Sequence, residues 1–346
     1  MRVVLRGRLQ NWLPAFLAGV LCLYAIWPWT QWNKSSSRTI VFFGFSTVAE
    51  VLTQSIFPDF QQVWKEETGE RVEFASSFSG SGTISSQLIM GVPAQLALLS
   101  LESDAQRLVR SGLTSADSWK RLPYNGVLNR TPLIILVRQG NPKRIHDFAD
   151  LAGPGVRVVH PDPLTSGAAT WAILAEYGAG MRQHPDQPQA GYKQLLSIWR
   201  NVVAQAHSAR AARTQFENGF GDALITYEQE ALWDQAHGRL HSEPVYPSHT
   251  ILSEHILVIL DRNIKADERR LVNAFLTYLW SERAQRLFVE SGFRSVDESL
   301  NVSHPALGKI ADPFLVSDLG GWRKAGDEIA DRIWKGQVLK ELGRNQ

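Results

Sequence analysis

Cysteine is nearly absent: one thiol, Cys22, occurs in 346 residues, so no internal disulfide can form. Charge of one sign is also missing. The 36 basic and 34 acidic side chains leave a formal net charge of +2. A protein that wraps nucleic acid usually shows a strong basic excess, and that class is excluded here. An anion would have to be held by a local site rather than by a global field. Enzyme signatures are missing too. Gly80-Ser81-Gly82 lacks the Gly-x-Ser-x-Gly spacing of a nucleophile elbow, and no Walker A loop occurs. The histidines are scattered. His237 and His241 stand at i,i+4 spacing with no acid in the right pattern, so no metal site is expected. Glu228 and Glu230, two apart, point in different directions and make no acid/base pair.

What is present is an ordinary globular composition, 44% hydrophobic and 20% charged, long enough for two lobes with separate cores. The N-terminus is different. Arg2, Arg6 and Arg8 precede residues 12–29, which carry no charge. As a helix that run would reach about 27 Å, close to the hydrocarbon thickness of a bilayer. Basic residues before an apolar run send the following chain across the membrane. Residues 1–37 therefore read as an export segment, either cleaved near Ser35–Ser37 or retained as a membrane anchor. A lipid-modified Cys22 is disfavoured, because Leu21 rather than a small residue precedes it.

From Thr39 onward, strand-like and helix-like segments alternate. Residues 39–45, 71–75, 95–101, 132–138, 156–159, 223–226 and 255–260 read as strands. Val48 to Gly69 has helical periodicity, and a second helix is expected from Thr83 to Met90 after a Ser/Gly-rich turn over Ser76–Gly82. The βαβα rhythm implies a parallel sheet covered by helices. Three turns place small polar residues before a helix: Ser79–Gly82, Pro161–Ala169 and Ser208–Ala212. A helix start presents unpaired N–H groups and a positive dipole end, and glycine lets an anion approach closely. Such turns lie on the loops after strands, where clefts of α/β proteins form. Arg210 and Arg213, three apart, read as a charged surface face.

A set of collinear stretches then adds a pattern: Trp64–Gly69 (WKEETG), Gly80–Gly82, Lys120–Pro123, Leu136–Lys143 (LVRQGNPK), Pro163–Gly167 (PLTSG), Gly221–Ala231 (GDALITYEQEA) and Gly320–Trp322. From about Arg38 to Trp322 the chain resembles the sulfate- and thiosulfate-binding proteins of ABC importers. The resemblance implies an α/β, two-lobe type II periplasmic-binding clamshell with two crossover strands, preceded by an N-terminal hydrophobic helix. Lobe I would comprise 38–128 plus 254–335, lobe II 129–253, and a tail 336–346. The chain would cross between lobes near 126–131 and return near 248–256.

In that family sulfate is held mainly by backbone N–H groups, with one serine hydroxyl and one indole. Carried over, Ser81 matches the hydroxyl, and Ser166, Gly167 and Ala168 match a backbone turn. Thr47 falls where an aspartate gives its N–H, Ala209 (or Ser208) matches a further donor, and Tyr227 stands at the tryptophan. Leu164 and Thr170 replace a lysine and an arginine. The implied role is capture of a sulfate-like oxyanion for an ABC permease and its ATPase, in the periplasm or on the outer face of the inner membrane. No catalysis, cofactor or metal is implied. The alternative is a membrane-tethered sensor or divergent binding domain for another small anion, such as molybdate or phosphate.

Overall fold

The computed structural model describes residues 38–115 and 118–343. The expected membrane segment, residues 12–29, lies outside them. Among the described residues no helix is long and apolar enough to cross a membrane.

Among the described residues there are eleven strands: β1 Arg38–Phe45, β2 Val72–Ser79, β3 Leu96–Leu99, β4 Val127–Arg138, β5 Val158–Pro161, β6 Val202–Ala206, β7 Ala223–Tyr227, β8 Ser242–Val245, β9 His249–Ile259, β10 Arg294–Ser295 and β11 Asp312–Phe314. The main order is β2-β1-β3-β9-β4-β7-β5-β6. β1 with β3, β5 with β6 and β5 with β7 pair in parallel, with helices in the connections. Their apolar sequences have the near-continuous burial that a sheet covered on both faces requires, LALL in β3 and ALITY in β7 being buried throughout.

β4 and β9 are long antiparallel strands that join the two parallel groups. The first half of β4 pairs with β9, Arg130 opposite Glu254 and Thr131 opposite Ser253. Its second half pairs with β7, Leu133 opposite Tyr227, and with β8. β9 in turn runs against β3, Leu98 opposite Leu257. The positions read as crossings near 126–131 and 248–256 are those where β4 and β9 pair.

The described residues divide into two compact units, 38–39 with 61–73, and 40–60 with 74–343. In the first, the helix Phe57–Thr68 ends at Gly69, whose φ of +72° closes the last turn in the left-handed region. There the Gln61 side-chain amide donates to the Val72 carbonyl at 2.8 Å. The second unit holds two large apolar cores and a smaller cluster of Val289, Leu300 and Leu307 among its described residues. One gathers Phe43, Ile84, Leu88, Leu99, Leu108, Trp119, Ile256 and Val258. The other gathers Ile134, Leu136, Val159, Ala212, Phe216 and Leu224.

Two local readings need correction. Ser76–Ser79, expected as turn, is the end of β2, and the turn is reduced to Gly80 before the helix Ser81–Ile89. β2 is an edge strand, so half-exposed serines are tolerated where a central strand would demand apolar residues. Arg210 and Arg213 are not a solvated face. Arg210 pairs with Glu50 and with Glu230, and Arg213 with Glu230 and Asp234. Glu230 is fully buried between them.

Candidate functional site

Six strand ends meet at one small cavity. It is lined by Phe45 and Ser46 after β1, Gly80 and Ser81 after β2, and Ser100 after β3. Ser166, Gly167 and Ala168 follow β5, Ala209 follows β6, and Tyr227 closes β7. Every lining residue thus sits at the carboxyl end of a strand, the place where ligand crevices form in α/β sheets. The cavity is small, with a volume of about 10 Å³. No lining side chain carries a charge.

Three of these segments are helix starts. Ser81 opens the helix Ser81–Ile89, Gly167 opens Gly167–Gln183, and Ala209 opens Ala209–Glu217. The caps Gly80 and Ser166 accept no side-chain bond from their own helices, whereas Ser208 Oγ accepts from the Ala211 N–H at 3.1 Å. First-turn N–H groups have no acceptor within their helix. Those of Ser81, Gly167, Ala168 and Ala209 therefore stand ready at the cavity with three dipole ends. Glycine at 167 is dictated by space: a Cβ there would meet Ser100 Oγ at 2.7 Å and Ser100 Cβ at 2.8 Å.

Hydroxyls supply the remaining polar groups. Tyr227 is fully buried, and its phenol oxygen lies 2.9 Å from Ser100 Oγ. Burial pushes that phenol well above its ordinary range, the Ser100 bond opposes this and the Glu230 charge adds to it, so the phenol keeps its proton. Ser100 is held from behind, where the Trp171 indole N–H donates to its carbonyl at 2.8 Å. Ser81 Oγ accepts the Ser100 N–H at 3.0 Å and donates to Asp104 Oδ2 at 2.7 Å. Beneath Tyr227 and Phe45 lies His255, with ring centroids 5.5 and 4.4 Å away. Burial lowers its imidazole to about 3, so it is neutral at physiological pH.

Of the seven residues singled out in the sequence, Ser81, Ser166, Gly167, Ala168, Ala209 and Tyr227 line this cavity. Thr47 does not. It is fully buried, and Phe45 and Ser46, just before it, form the wall instead. Ser100 was missed. Its signal was a single hydroxyl at the end of an apolar parallel strand, followed by Leu101 and so read as part of the core. The departures Leu164 and Thr170 lie outside the cavity, in a neighbouring groove of about 680 Å³ that also shows Arg107, Arg323 and Lys335. His237 ends the helix Glu228–Ala236 and His241 lies beyond it, and no cluster of metal-binding side chains occurs among the described residues.

A small cavity with uncharged walls, fringed by helix starts, defines a protein that binds a small solute. The sequence model of bacterial extracellular solute-binding proteins matches residues 46–294. The chain belongs to that family. It is 33% identical over 301 residues to a sulfate-binding protein of Synechococcus elongatus, covering 85% of each chain. It is 32% identical over 278 residues to a thiosulfate-binding protein of Pseudomonas aeruginosa, covering 77% of this chain and 81% of that one. Among solved structures it matches the sulfate-binding protein SubI from Mycobacterium tuberculosis with a TM-score of 0.76. The identity there is 30%, over 84% of this chain and 99% of that chain. The architecture is accordingly an α/β fold of the periplasmic-binding-protein kind.

Proposed function

We propose that this protein captures a tetrahedral oxyanion, sulfate or thiosulfate, outside the cytoplasmic membrane and delivers it to an ABC importer without turning it over. The observation that carries the reading is the convergence of three helix starts and five hydroxyl side chains on one cavity without charged walls. A dianion leaving water must find a donor for each oxygen, and fixed N–H dipoles supply donors with no proton to exchange. No carboxylate lines the cavity to accept a hydrogen from a protonated anion such as hydrogen phosphate. That favours the fully ionised anions.

The same reading gives two lobes, 38–128 with 254–335 and 129–253, joined by β4 and β9, with 336–346 as a tail. The two apolar cores support it, since each falls within one lobe. Closure would bring Ser46, Ser81 and Ser100 of one lobe to Ser166–Ala168, Ala209 and Tyr227 of the other. Permease recognition of the closed form follows from that movement. Export rests on the segment 1–37, as either signal or anchor.

Tryptophan fluorescence tests the assignment, because Trp171 is bonded to the cavity residue Ser100. Titration with sulfate or thiosulfate should give a saturable, one-to-one change, with phosphate far weaker. A response to phosphate alone, or to none of these anions, contradicts the proposal.

A further inference from the structure

Ser81 has a divided commitment. It lines the cavity, is 1% exposed, and accepts the Ser100 N–H. Its hydrogen goes to Asp104, a carboxylate that is itself 5% exposed. A hydroxyl has one hydrogen and two lone pairs. While Asp104 is ionised, the Ser81 hydrogen points away from the cavity and a lone pair is left for the ligand. That arrangement repels an anion. With a proton on Asp104 the polarity reverses. The carboxyl donates to Ser81 Oγ, Ser100 N–H fills the other lone pair, and the serine hydrogen is free to turn to the ligand.

Building on the oxyanion assignment, we propose that Asp104 is the positioning residue of the site: it takes a proton from solvent as each dianion binds, and so converts Ser81 from acceptor to donor. One O–H bond forms on Asp104 with a proton given up by water or buffer, no bond between heavy atoms changes, and one hydrogen bond reverses direction.

The surroundings of Asp104 suit that role. On its own helix, Glu102–Arg110, Arg107 Nη1 lies 3.3 Å from Oδ1. Arg107 also donates to Ser86 Oγ at 3.1 Å and its side chain is 39% exposed, so it neutralises Asp104 incompletely. The helix Ser81–Ile89 faces it with Ser81 and with Ser85, whose Oγ lies 3.5 Å from the Asp104 carbonyl. β3 and the residue after it bring only Ser100. The helix Gly167–Gln183 brings Gly167, Thr170 and Ile173, none of them charged, into the adjoining groove. Residues of the C-terminal helical region bring Arg323, Asp327, Asp331 and Lys335 to the same groove, along with Arg110. Burial raises the Asp104 carboxyl above the usual range, opposed by the Ser81 bond and by Arg107. The groove, which Asp104 also lines, is the route by which a proton arrives.

The test is calorimetry of sulfate binding to the whole protein from pH 5 to 9, in paired buffers of different ionisation enthalpy. Sulfate carries no proton in this range, so any proton taken up belongs to the protein. Uptake should approach one proton per sulfate at the alkaline end, where affinity falls about tenfold per pH unit. Asp104→Asn supplies a permanent side-chain N–H to Ser81 Oγ. It should bind at least as tightly as the parent does at low pH, with no uptake and a flat profile. Should that variant not fold, the parent's proton count decides alone. Sulfate binding with constant affinity and no uptake overturns the Asp104 role and leaves the oxyanion site standing. No sulfate binding at any pH removes the site assignment and this role with it.

Discussion

Glu50 and Arg210, 160 residues apart, meet as a two-pronged ion pair beside the cavity, with Arg210 Nη2 2.7 Å from Glu50 Oε2. Glu50 lies four residues after the lining Ser46, and Arg210 directly follows the lining Ala209. Burial would raise the Glu50 carboxyl, but the hydrogen bond and charge of Arg210 outweigh it and hold the group below its usual range. Arg210 also donates through Nε to Glu230 at 2.9 Å. The pair thus ties together two of the segments that present N–H groups to the ligand.

Removing Arg210 should cost more than removing Glu50. Arg210→Ala leaves the fully buried Glu230 with Arg213 and the Thr226 hydroxyl, whereas Glu50→Ala leaves Arg210 still paired with Glu230. Loss of one partner of a buried pair costs about 3–5 kcal/mol, and an exposed pair at most about 1. Arg210 is 28% exposed, so a loss of about 2–3 kcal/mol is expected on that scale. Urea unfolding of both variants checks the order.

Gly80 should be intolerant of any side chain for a reason unrelated to backbone freedom, since its φ of −60° suits every residue. A Cβ there would lie 2.3 Å from the Thr165 carbonyl oxygen and 2.7 Å from that of His207. Those carbonyls belong to the turns that precede Ser166 and Ser208. Gly80→Ala would hold the two sides of the cavity apart. Overpacking of this kind costs about 1–3 kcal/mol, so sulfate affinity should drop by roughly 5- to 150-fold. Calorimetric titration measures the loss, and an unchanged affinity contradicts the closed arrangement.

Tyr227→Phe removes the phenol that meets Ser100 Oγ in a fully buried setting. Loss of a neutral hydrogen bond with a partner left unpaired costs about 1–3 kcal/mol. The expected result is weaker oxyanion binding, by about tenfold, and a small fall in Tm. Unaltered affinity would place the phenol outside the working site.

His255 makes stability depend on pH. Its folded pKa, about 3, lies below the ordinary imidazole value of 6.5 because burial disfavours the imidazolium. The unfolded chain therefore binds a proton that the folded one refuses. Stability is complete above about pH 6.5 and declines as pH falls toward 3, by up to about 1.4 kcal/mol per unit for this one group. Denaturant unfolding between pH 7 and 5, above the carboxylate range, should show that slope, and His255→Gln should flatten it.

Seven of the strands, β1 to β5 with β7 and β9, were legible because apolar runs with helical segments between them leave few alternatives. The cavity was legible in part, because small residues before a helix announce unpaired N–H groups. Other features were hidden by distance in the chain. Nothing near Arg210 in sequence points to Glu50, so local spacing suggested a solvated face. Ser100 looked like a core residue because its neighbours Leu99 and Leu101 are apolar, and only pairing with Tyr227 reveals its position. Asp104 sits on a helix whose other acids and bases are mostly solvated, and its burial against Ser81 arises from packing of two helices.

The most direct test of the oxyanion site is a crystal structure grown with selenate, whose selenium scatters anomalously and whose shape copies sulfate. The account predicts a single strong selenium peak in the cavity, with oxygens within hydrogen-bond distance of the N–H groups of Gly167, Ala168 and Ala209 and of the Ser81 hydroxyl. A peak in the groove beside Arg323 and Lys335, or none at all, would contradict it.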